Sequence, residues 1–211
     1  VNGEIPMDGY DSQSMAPLKQ IISDFASAMS SDNITMKAMK DYFNKPSGRK
    51  AVSVSPFSSQ FKYSGAAFED GSYVLGAPEF VLREDYDNYR EQIEQYSSEG
   101  YRVLVFGIYD GVIDGKALTG KVTPLGLVFL SNPIRKEAPE TFKYFENQGV
   151  EIKVISGDNP VTVSQVALQA GIANADNYID ASTLTTDEAI EDAVLRYTVF
   201  GRVTPDQKRK F

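Results

Sequence analysis

The sequence contains no cysteine and no histidine. The absence of cysteine excludes disulfides and thiolate nucleophiles, and without histidine Ser-His-Asp catalysis and the usual zinc ligand sets are excluded too. Any chemistry of this chain must therefore use carboxylates, lysine, arginine, hydroxyl groups and backbone amides. A chain without cysteine also fits a reducing compartment.

Positive charge and long apolar runs are also scarce. The chain has 21 Lys and Arg against 29 Asp and Glu, a formal net charge of −8. We therefore expect no nucleic acid partner, because neutralising its phosphates takes a basic surface, whereas a nucleotide would need only a local basic pocket. No apolar run approaches the roughly 18 residues of a membrane span, and no signal peptide is recognisable, so we expect these residues to be water-soluble.

At 211 residues the chain is long enough for one large domain or two small ones. Apolar residues at spacings of three and four predict helices within the first 45 residues. Alternating segments then predict strands over 51–55, 61–68, 71–75 and 101–109, with a helix over 86–96. This order is typical of an α+β domain with an antiparallel sheet flanked by helices.

After about Val122 short apolar strands alternate with helices. The strands are predicted over 125–130, 150–155, 178–179 and 197–200, and the helix after 130 is expected to bury Ala138, Phe142 and Phe145. Such alternation is typical of a Rossmann-like parallel sheet, here a partial one, so the fold class is α/β overall. We place the boundary near Lys121, which defines domains 1–121 and 122–211.

Polar segments follow three of these predicted strands. They are Ser131-Asn132-Pro133-Ile134-Arg135, Ser156-Gly157-Asp158-Asn159-Pro160 and Gly201-Arg202-Val203-Thr204-Pro205-Asp206-Gln207-Lys208. Ligands of an open parallel sheet bind beyond the carboxyl ends of its strands, so we expect the three segments to meet in one crevice. Ser156 and Gly157 would offer a hydroxyl and amides to a phosphoryl oxygen, at the start of a helix that Asn159 caps. The pattern of residues fits a plain strand-to-helix turn equally well.

Six short segments, in order along the chain, resemble segments of the P-type (E1-E2) cation-transporting ATPases. They are Phe57-Ser58-Ser59-Gln60-Phe61-Lys62, Leu75-Gly76-Ala77-Pro78-Glu79, Gly100-Tyr101-Arg102-Val103-Leu104, Asn132-Pro133-Ile134-Arg135, Ser156-Gly157-Asp158-Asn159 and Phe200 through Lys208. The last three are similar to the family's Asp-Pro-x-Arg, Thr-Gly-Asp and Ala-Arg-x-x-Pro-x-x-Lys. The resemblance implies a nucleotide-binding domain followed by part of a phosphorylation domain of the haloacid dehalogenase type.

The resemblance also implies roles for individual residues. Phe57 would stack on adenine, although a phenylalanine in a strand region is also typical of core packing. Ser156 and Gly157 would hold the transferred phosphoryl group, and Lys208 would offset its charge. These three form the implied catalytic set, and no metal ligand is expected. The implied nucleotide-binding set is Phe57, Ser59, Lys62, Gly76, Ala77, Arg102, Asn132, Arg135, Asp158 and Arg202.

The sequence departs from the family pattern at several positions. Leu75 stands where the family has lysine, Asn132 replaces the first aspartate of Asp-Pro-x-Arg, and Ser156 replaces threonine. The family's phosphorylated Asp-Lys-Thr-Gly-Thr and magnesium-binding Gly-Asp-Gly-x-Asn-Asp segments have no match. We therefore expect no phosphoenzyme from this chain alone, with ATP and Mg²⁺ as cofactors and the Mg²⁺ ligands mostly elsewhere.

The expected partners are an adenine nucleotide and the remainder of a parent transporter, namely its transmembrane and actuator domains. The expected location is the cytoplasmic side of the cell membrane. Two alternatives stay open. One is a catalytically dead nucleotide-binding or regulatory module; the other is a soluble haloacid dehalogenase-type phosphatase, which would need a nucleophilic aspartate after its first strand.

Overall fold

The computed structural model describes every residue from Val1 to Phe211. Its strands are β1 (Gly3–Pro6), β2 (Ser53–Ser55), β3 (Tyr63–Phe68), β4 (Gly71–Gly76), β5 (Arg102–Asp110), β6 (Lys121–Leu130), β7 (Val154–Ile155), β8 (Tyr178–Asp180) and β9 (Val199–Gly201). Its α-helices are α1 (Leu18–Ala28), α2 (Ile34–Tyr42), α3 (Pro78–Leu82), α4 (Tyr86–Ser98), α5 (Ala138–Asn147), α6 (Pro160–Gln169), α7 (Asp187–Arg196) and α8 (Pro205–Lys208). None of the helices combines the length and the apolar character needed to cross a membrane.

The chain divides into two compact units. The first unit contains Val1–Glu91 and Val103–Leu130, and the second contains Gln92–Arg102 and Ser131–Phe211. The boundary predicted near Lys121 falls at the first residue of β6, whereas the structure keeps the whole of β6 in the first unit. Residues 122–130 therefore belong with the residues that precede them.

The first unit is built on a six-stranded sheet in the order β1-β6-β5-β4-β3-β2. The pairs β2–β3, β3–β4, β4–β5 and β1–β6 are antiparallel. In the hairpin of β3 and β4, Phe68 pairs with Gly71 across a two-residue turn. An antiparallel sheet with helices confirms the class predicted for the first domain.

Two strands of this sheet differ from the prediction. The helical pattern of the first 45 residues conceals β1, which is only four residues long. The segment Leu125–Leu130 is not the first strand of a parallel sheet; it is the end of β6, in which Leu127 pairs with Ile5 of antiparallel β1. Every residue of that segment is buried, and such continuous apolar character is also what a parallel strand would show.

One hydrophobic cluster of the first unit lies between the sheet and the pair α1 and α2. Ile22 and Phe25 of α1 and Met39 of α2 are fully buried and belong to one cluster with Phe106 of β5. The Phe25 and Phe106 rings meet edge to face at 5.3 Å, and Tyr73 stacks on Phe106 at 5.5 Å. Offset and edge-to-face contacts are the arrangements that aromatic rings favour.

The second unit has a three-stranded parallel sheet in the order β7-β9-β8. Successive residues of a strand point to opposite faces, so Val199 and Phe200 of β9 contact different helices. Val199 packs with Val163 of α6, and Phe200 packs with Ala193 of α7. Different helices therefore cover the two faces of the sheet. The assignment of this unit to the haloacid dehalogenase type stays a prediction.

Helix α5 contradicts the buried face predicted for it. None of its residues is buried, and Phe145 is 42% exposed. Only Phe142 packs partly against a hydrophobic cluster, that of Val163 and Val199. The sheet beside α5 ends at β7, which leaves too little apolar surface to cover the helix.

Candidate functional site

The loop between β2 and β3 presents Phe57 at the surface. The Ser58 amide donates to the Tyr63 carbonyl at 3.0 Å, and the Lys62 amide donates to the Ser58 carbonyl at 2.7 Å. Lys62 closes this turn with φ 57°, in the left-handed region that residues other than glycine rarely adopt. The Phe57 ring is 44% exposed, so its function as a core residue is excluded.

Phe57 lines a cavity of about 220 Å³ in the first unit. The remaining lining residues come from the end of α1, the start of α2 and the β2–β3 region: Met29, Ser30, Asp32, Asn33, Met36, Pro56 and Ser64. We call this the Phe57 cavity. Its apolar walls include an aromatic ring and the thioethers of Met29 and Met36, which together suit a flat, polarisable ring.

The other candidates of the first unit lie outside the lining of the Phe57 cavity. Ser59 is exposed on the turn, and the Lys62 carbonyl accepts from the Ala77 amide at 2.9 Å. A Cβ at Gly76 would lie 2.4 Å from the Lys62 carbonyl oxygen. Glycine is therefore needed at position 76, at the end of the β3–β4 pair that lies away from the hairpin turn. Leu75 is 3% exposed and belongs to the core, and it therefore forms no wall of the cavity.

In the second unit three backbone hydrogen bonds join the segment after β7 to β9 and to the residues that follow β9. Ser156 N donates to Phe200 O at 2.9 Å, Val203 N donates to Ser156 O at 2.9 Å, and Arg202 N donates to Asp158 O at 2.8 Å. We call Ser156–Asn159 together with Gly201 and Arg202 the strand-end site. The neighbouring positions of two parallel strands bring these segments together.

The strand-end site offers several groups that can donate to an anion. The Ser156 hydroxyl oxygen accepts from the Asp158 amide at 3.1 Å, which leaves its own proton available for donation. Asn159 Oδ1 accepts from Val161 N at 2.9 Å and caps α6, which begins with Pro160. A hydroxyl group beside a capped helix N-terminus is an arrangement that can hold a phosphoryl oxygen electrostatically.

Two arginines near the strand ends form ion pairs. Arg102, which belongs to the second unit and not to the first, pairs with Asp158 at 3.3 Å. Arg202 Nη1 donates to Asp180 Oδ2 at 2.6 Å. Sequence reasoning missed Asp180, the last residue of β8, although it directly follows the predicted strand 178–179. Because both carboxylates are paired and no group of three or more acidic side chains in residues 1–211 is placed to hold a metal ion, the residues present do not fit a Mg²⁺ site.

Lys208 ends the four-residue helix α8, and its side chain is exposed. A capping box between Thr204 and Gln207 starts this helix. The Gln207 side-chain amide also donates to Ala181 O at 2.7 Å and to Leu184 O at 3.0 Å. Gln207 therefore positions α8, and with it Lys208, against the segment that follows β8.

Asn132 and Arg135 lie on an exposed irregular segment after β6. Because β6 belongs to the antiparallel sheet, the prediction of a crevice formed by three adjacent strand ends is wrong in this part. Only the ends of β7 and β9 are neighbours in the parallel sheet. The apolar run of β6 suggested a parallel strand, and only its pairing with β1 shows otherwise.

No protein-family model matches the chain. The calcium-transporting ATPase CtpE of Mycobacterium tuberculosis (strain CDC 1551 / Oshkosh) is 39% identical over 191 residues, which cover 90% of this chain and 24% of that protein. The probable cation-transporting ATPase exp7 of Streptococcus pneumoniae is 34% identical over 195 residues, which cover 91% and 24%. The magnesium-transporting ATPase, P-type 1, of Salmonella typhimurium is 32% identical over 128 residues, which cover 56% and 14%.

The chain thus spans about a quarter of the length of the first two relatives. Those relatives match nearly all of it, and their names agree on one class of transporter. The Salmonella typhimurium relative is named as a P-type ATPase. The chain therefore belongs to the P-type cation-transporting ATPases.

Proposed function

We propose that this chain handles the nucleotide in a P-type ATPase. Its first unit binds the adenine of ATP in the Phe57 cavity, and its second unit holds the transferred phosphoryl group at the strand-end site. The observation that carries the proposal is the half-exposed Phe57 ring on an open, partly apolar cavity. Base–aromatic stacking contributes about 1–3 kcal/mol per base, enough to orient a nucleotide.

The remaining candidates of the first unit act around the base in this proposal. Gly76 and Ala77 let backbone approach the nucleotide, while Ser59 and Lys62 contact its polar groups. Arg102 belongs to the second unit, where its guanidinium pairs with Asp158. The resemblance to the family assigns this cation to the phosphates or ribose of the nucleotide. These contacts supply the local positive charge that a triphosphate needs on a chain of net charge −8.

In the second unit the proposed chemistry is electrostatic. The Ser156 hydroxyl and the Gly157 amide donate to the phosphoryl oxygens, and Lys208 offsets their charge, without a protein acid or base. Asp158 and Arg202 shape the turn through their ion pairs with Arg102 and Asp180. Asn132 and Arg135 complete the implied set on the segment after β6. In this proposal the second unit is part of a phosphorylation domain of the haloacid dehalogenase type.

The parent protein, in this proposal, couples ATP hydrolysis through an aspartyl-phosphate to cation transport across a membrane. The present chain lies on the cytoplasmic side of the membrane. Transmembrane and actuator domains make up the remainder of the parent protein. The sequence has no Asp-Lys-Thr-Gly-Thr segment, so the isolated chain forms no phosphoenzyme. The Mg²⁺ of the reaction takes its ligands mostly from other segments.

Calorimetric titration of the 211-residue chain with ATP tests the nucleotide site. We expect Phe57→Ala to raise the Kd about 5- to 150-fold, the equivalent of the 1–3 kcal/mol of stacking. Phe80→Ala is the matched control, because Phe80 is also 44% exposed but does not line the cavity. We expect the control to bind ATP like the wild type.

Two results would count against the proposal in different ways. If the wild type binds no ATP at millimolar concentration, the nucleotide site itself is wrong. If Phe57→Ala and Phe80→Ala both keep the wild-type Kd, ATP binds elsewhere and the stacking role of Phe57 is wrong.

A further inference from the structure

Charge is distributed very unevenly along the chain. Residues 33–68, from the cap of α2 to the end of β3, contain six Lys and Arg and a single acidic residue, Asp41. The other residues contain 15 Lys and Arg against 28 Asp and Glu. The formal charge is therefore +5 for residues 33–68 and −13 for the rest of the chain. We call residues 33–68 the basic segment.

Most of the positive charge of the basic segment is not neutralised by ion pairs. Arg49 pairs with Asp24 at 3.7 Å and with Asp70. The five lysines of the segment form no ion pair within the chain. They are Lys37, Lys40, Lys45, Lys50 and Lys62. These lysines therefore give the segment a positive field that can act on an approaching anion.

The Phe57 cavity lies largely within the basic segment, which supplies five of the eight residues of its lining. The Lys37 amide donates to the carbonyl of Asn33, a lining residue, at 3.0 Å. Lys40 follows Met36, also in the lining, by four residues, which is about 6 Å along the axis of α2. Neither lysine lines the cavity itself, so both are close to the site without forming its wall.

The lining alone offers no attraction to a polyanion, because its one charged side chain is Asp32. Interactions between exposed charges extend over a Debye length, about 8–10 Å at moderate ionic strength, and are largely screened beyond it. Lys37 and Lys40 therefore act on a triphosphate near the cavity. Charges of one sign around a binding site raise association rate constants by about 10- to 1,000-fold.

We propose that the basic segment steers the nucleotide electrostatically to the Phe57 cavity, and that Lys37 and Lys40 accelerate its association without contacting it once bound. The inference rests on the proposed function, because it takes the triphosphate to belong to a nucleotide in this cavity. It assigns the two lysines to the association step, so their removal lowers the association rate constant and leaves the dissociation rate constant unchanged.

Stopped-flow fluorescence with N-methylanthraniloyl-ATP (mant-ATP) and the 211-residue chain measures both rate constants. We compare the wild type with the double variant Lys37→Gln/Lys40→Gln, since glutamine suits a helix about as well as lysine. At an ionic strength of about 10 mM we expect association to slow about 3- to 10-fold, with dissociation unchanged. At about 1 M, where the Debye length is about 3 Å, the two proteins should associate within about 1.5-fold of each other.

Two controls separate steering from other effects. Lys116→Gln/Lys121→Gln removes the same charge from exposed lysines of the first unit outside the basic segment. The connection that contains Lys116 packs on the other face of the sheet, because a Cβ at Gly65 would lie 2.8 Å from Ile113 Cδ1, whereas the adjacent Ser64 lines the cavity. We expect this variant to keep the wild-type association rate. The second control is mant-adenosine, which has no phosphates and should associate equally with all three proteins.

Each contrary result has its own meaning. If Lys37→Gln/Lys40→Gln keeps the wild-type association rate for mant-ATP at low ionic strength, the inference is overturned and the nucleotide site stands. If only dissociation becomes faster, the lysines contact the bound nucleotide and steering is wrong. A loss that persists at high ionic strength, or that mant-adenosine shares, shows that the substitutions alter the cavity and likewise refutes steering. If the wild type binds no mant-ATP, the inference and the proposed function both fail.

Discussion

In the first unit a large hydrophobic cluster packs on the sheet, and residues outside that cluster, such as Val105 and Leu127, are fully buried as well. In the second unit the clusters on the sheet are small. Ile22, Phe25 and Phe106 are completely buried in the first core. The strands of the second unit are only two or three residues long, and Tyr144 and Val150 beside its edge are 61% and 49% exposed. Regions with few buried apolar contacts open at lower free energy. We therefore expect the second unit to exchange its amide hydrogens faster than the first.

The difference shows which interactions stabilise each unit. The first unit depends on side-chain packing over a wide sheet. The second unit depends more on short-range devices, namely helix caps at Asn159 and Thr186, and on the backbone hydrogen bonds of its strand ends. Substitutions of similar kind should therefore cost the two units different amounts of stability.

The largest effect is expected from shortening two phenylalanines, one in each unit. Phe106→Ala removes a fully buried ring that contacts Phe25 and Tyr73, and should lower the free energy of unfolding of the first unit by about 3–5 kcal/mol. Phe145→Ala removes a ring that is 42% exposed and should cost about 0.5 kcal/mol or less. Hydrogen exchange with mass spectrometry reports the two units separately. Equal losses of protection would refute the contrast between the two cores.

A smaller effect is expected at Gly201, at the end of β9. A Cβ there would lie 2.3 Å from Pro160 Cα and 2.5 Å from Pro160 N. Gly201→Ala should therefore cost the second unit about 1–3 kcal/mol through overpacking. We expect loss of hydrogen-exchange protection in β7, β9 and α6, with the protection of β3 to β6 unchanged. A variant with wild-type protection throughout would show that α6 moves to accept the methyl group without any loss in the free energy of unfolding.

The smallest effect concerns Tyr89, which joins α4 to the N-terminal segment of the first unit. Its hydroxyl donates to Asp8 Oδ1 at 2.8 Å and Oδ2 at 3.0 Å. Burial and Asp8 raise the pKa of Tyr89 from 10.0 to about 12. Because the folded pKa is raised, this stabilisation is complete below pH 10 and is lost as pH rises from 10 to about 12.

Tyr89→Phe should accordingly lower the free energy of unfolding at pH 7 by about 0.5–1.5 kcal/mol. It should also make the loss of stability between pH 10 and 12 shallower than in the wild type. Urea unfolding followed by far-UV circular dichroism measures both quantities. If the two proteins lose stability equally over that pH range, the hydrogen bond to Asp8 contributes nothing.

Much of the local structure could be predicted because its signals are local. Asn33 and Asn159 cap helices where the sequence places a polar residue before an apolar period. The strands of the β3–β4 hairpin are recognisable from their alternation and from the glycine at the turn. By contrast, β1 is too short to show a period, and it forms because β6 presents an unpaired edge to it.

The candidate sites were predictable in part for the same reason. Phe57 and the Ser156 turn belong to recognisable segments, whereas Asp32 and Asp180 belong to none. Asp32 reaches the Phe57 cavity only through the packing of α1 and α2 on the sheet. The role of Asp180 depends on its ion pair with Arg202, which lies 22 residues further along the chain.

The sequence by itself determined the family, the helix boundaries set by caps, and the antiparallel class of the first sheet, because each depends on neighbouring residues. Only the tertiary structure decided which sheet contains β6, that Phe57 stands exposed on a cavity, and that Asp32 is the one charge within its lining. Those features depend on contacts between residues far apart in the chain. An apolar run is compatible with both parallel and antiparallel pairing, and only the neighbouring strand decides between the two.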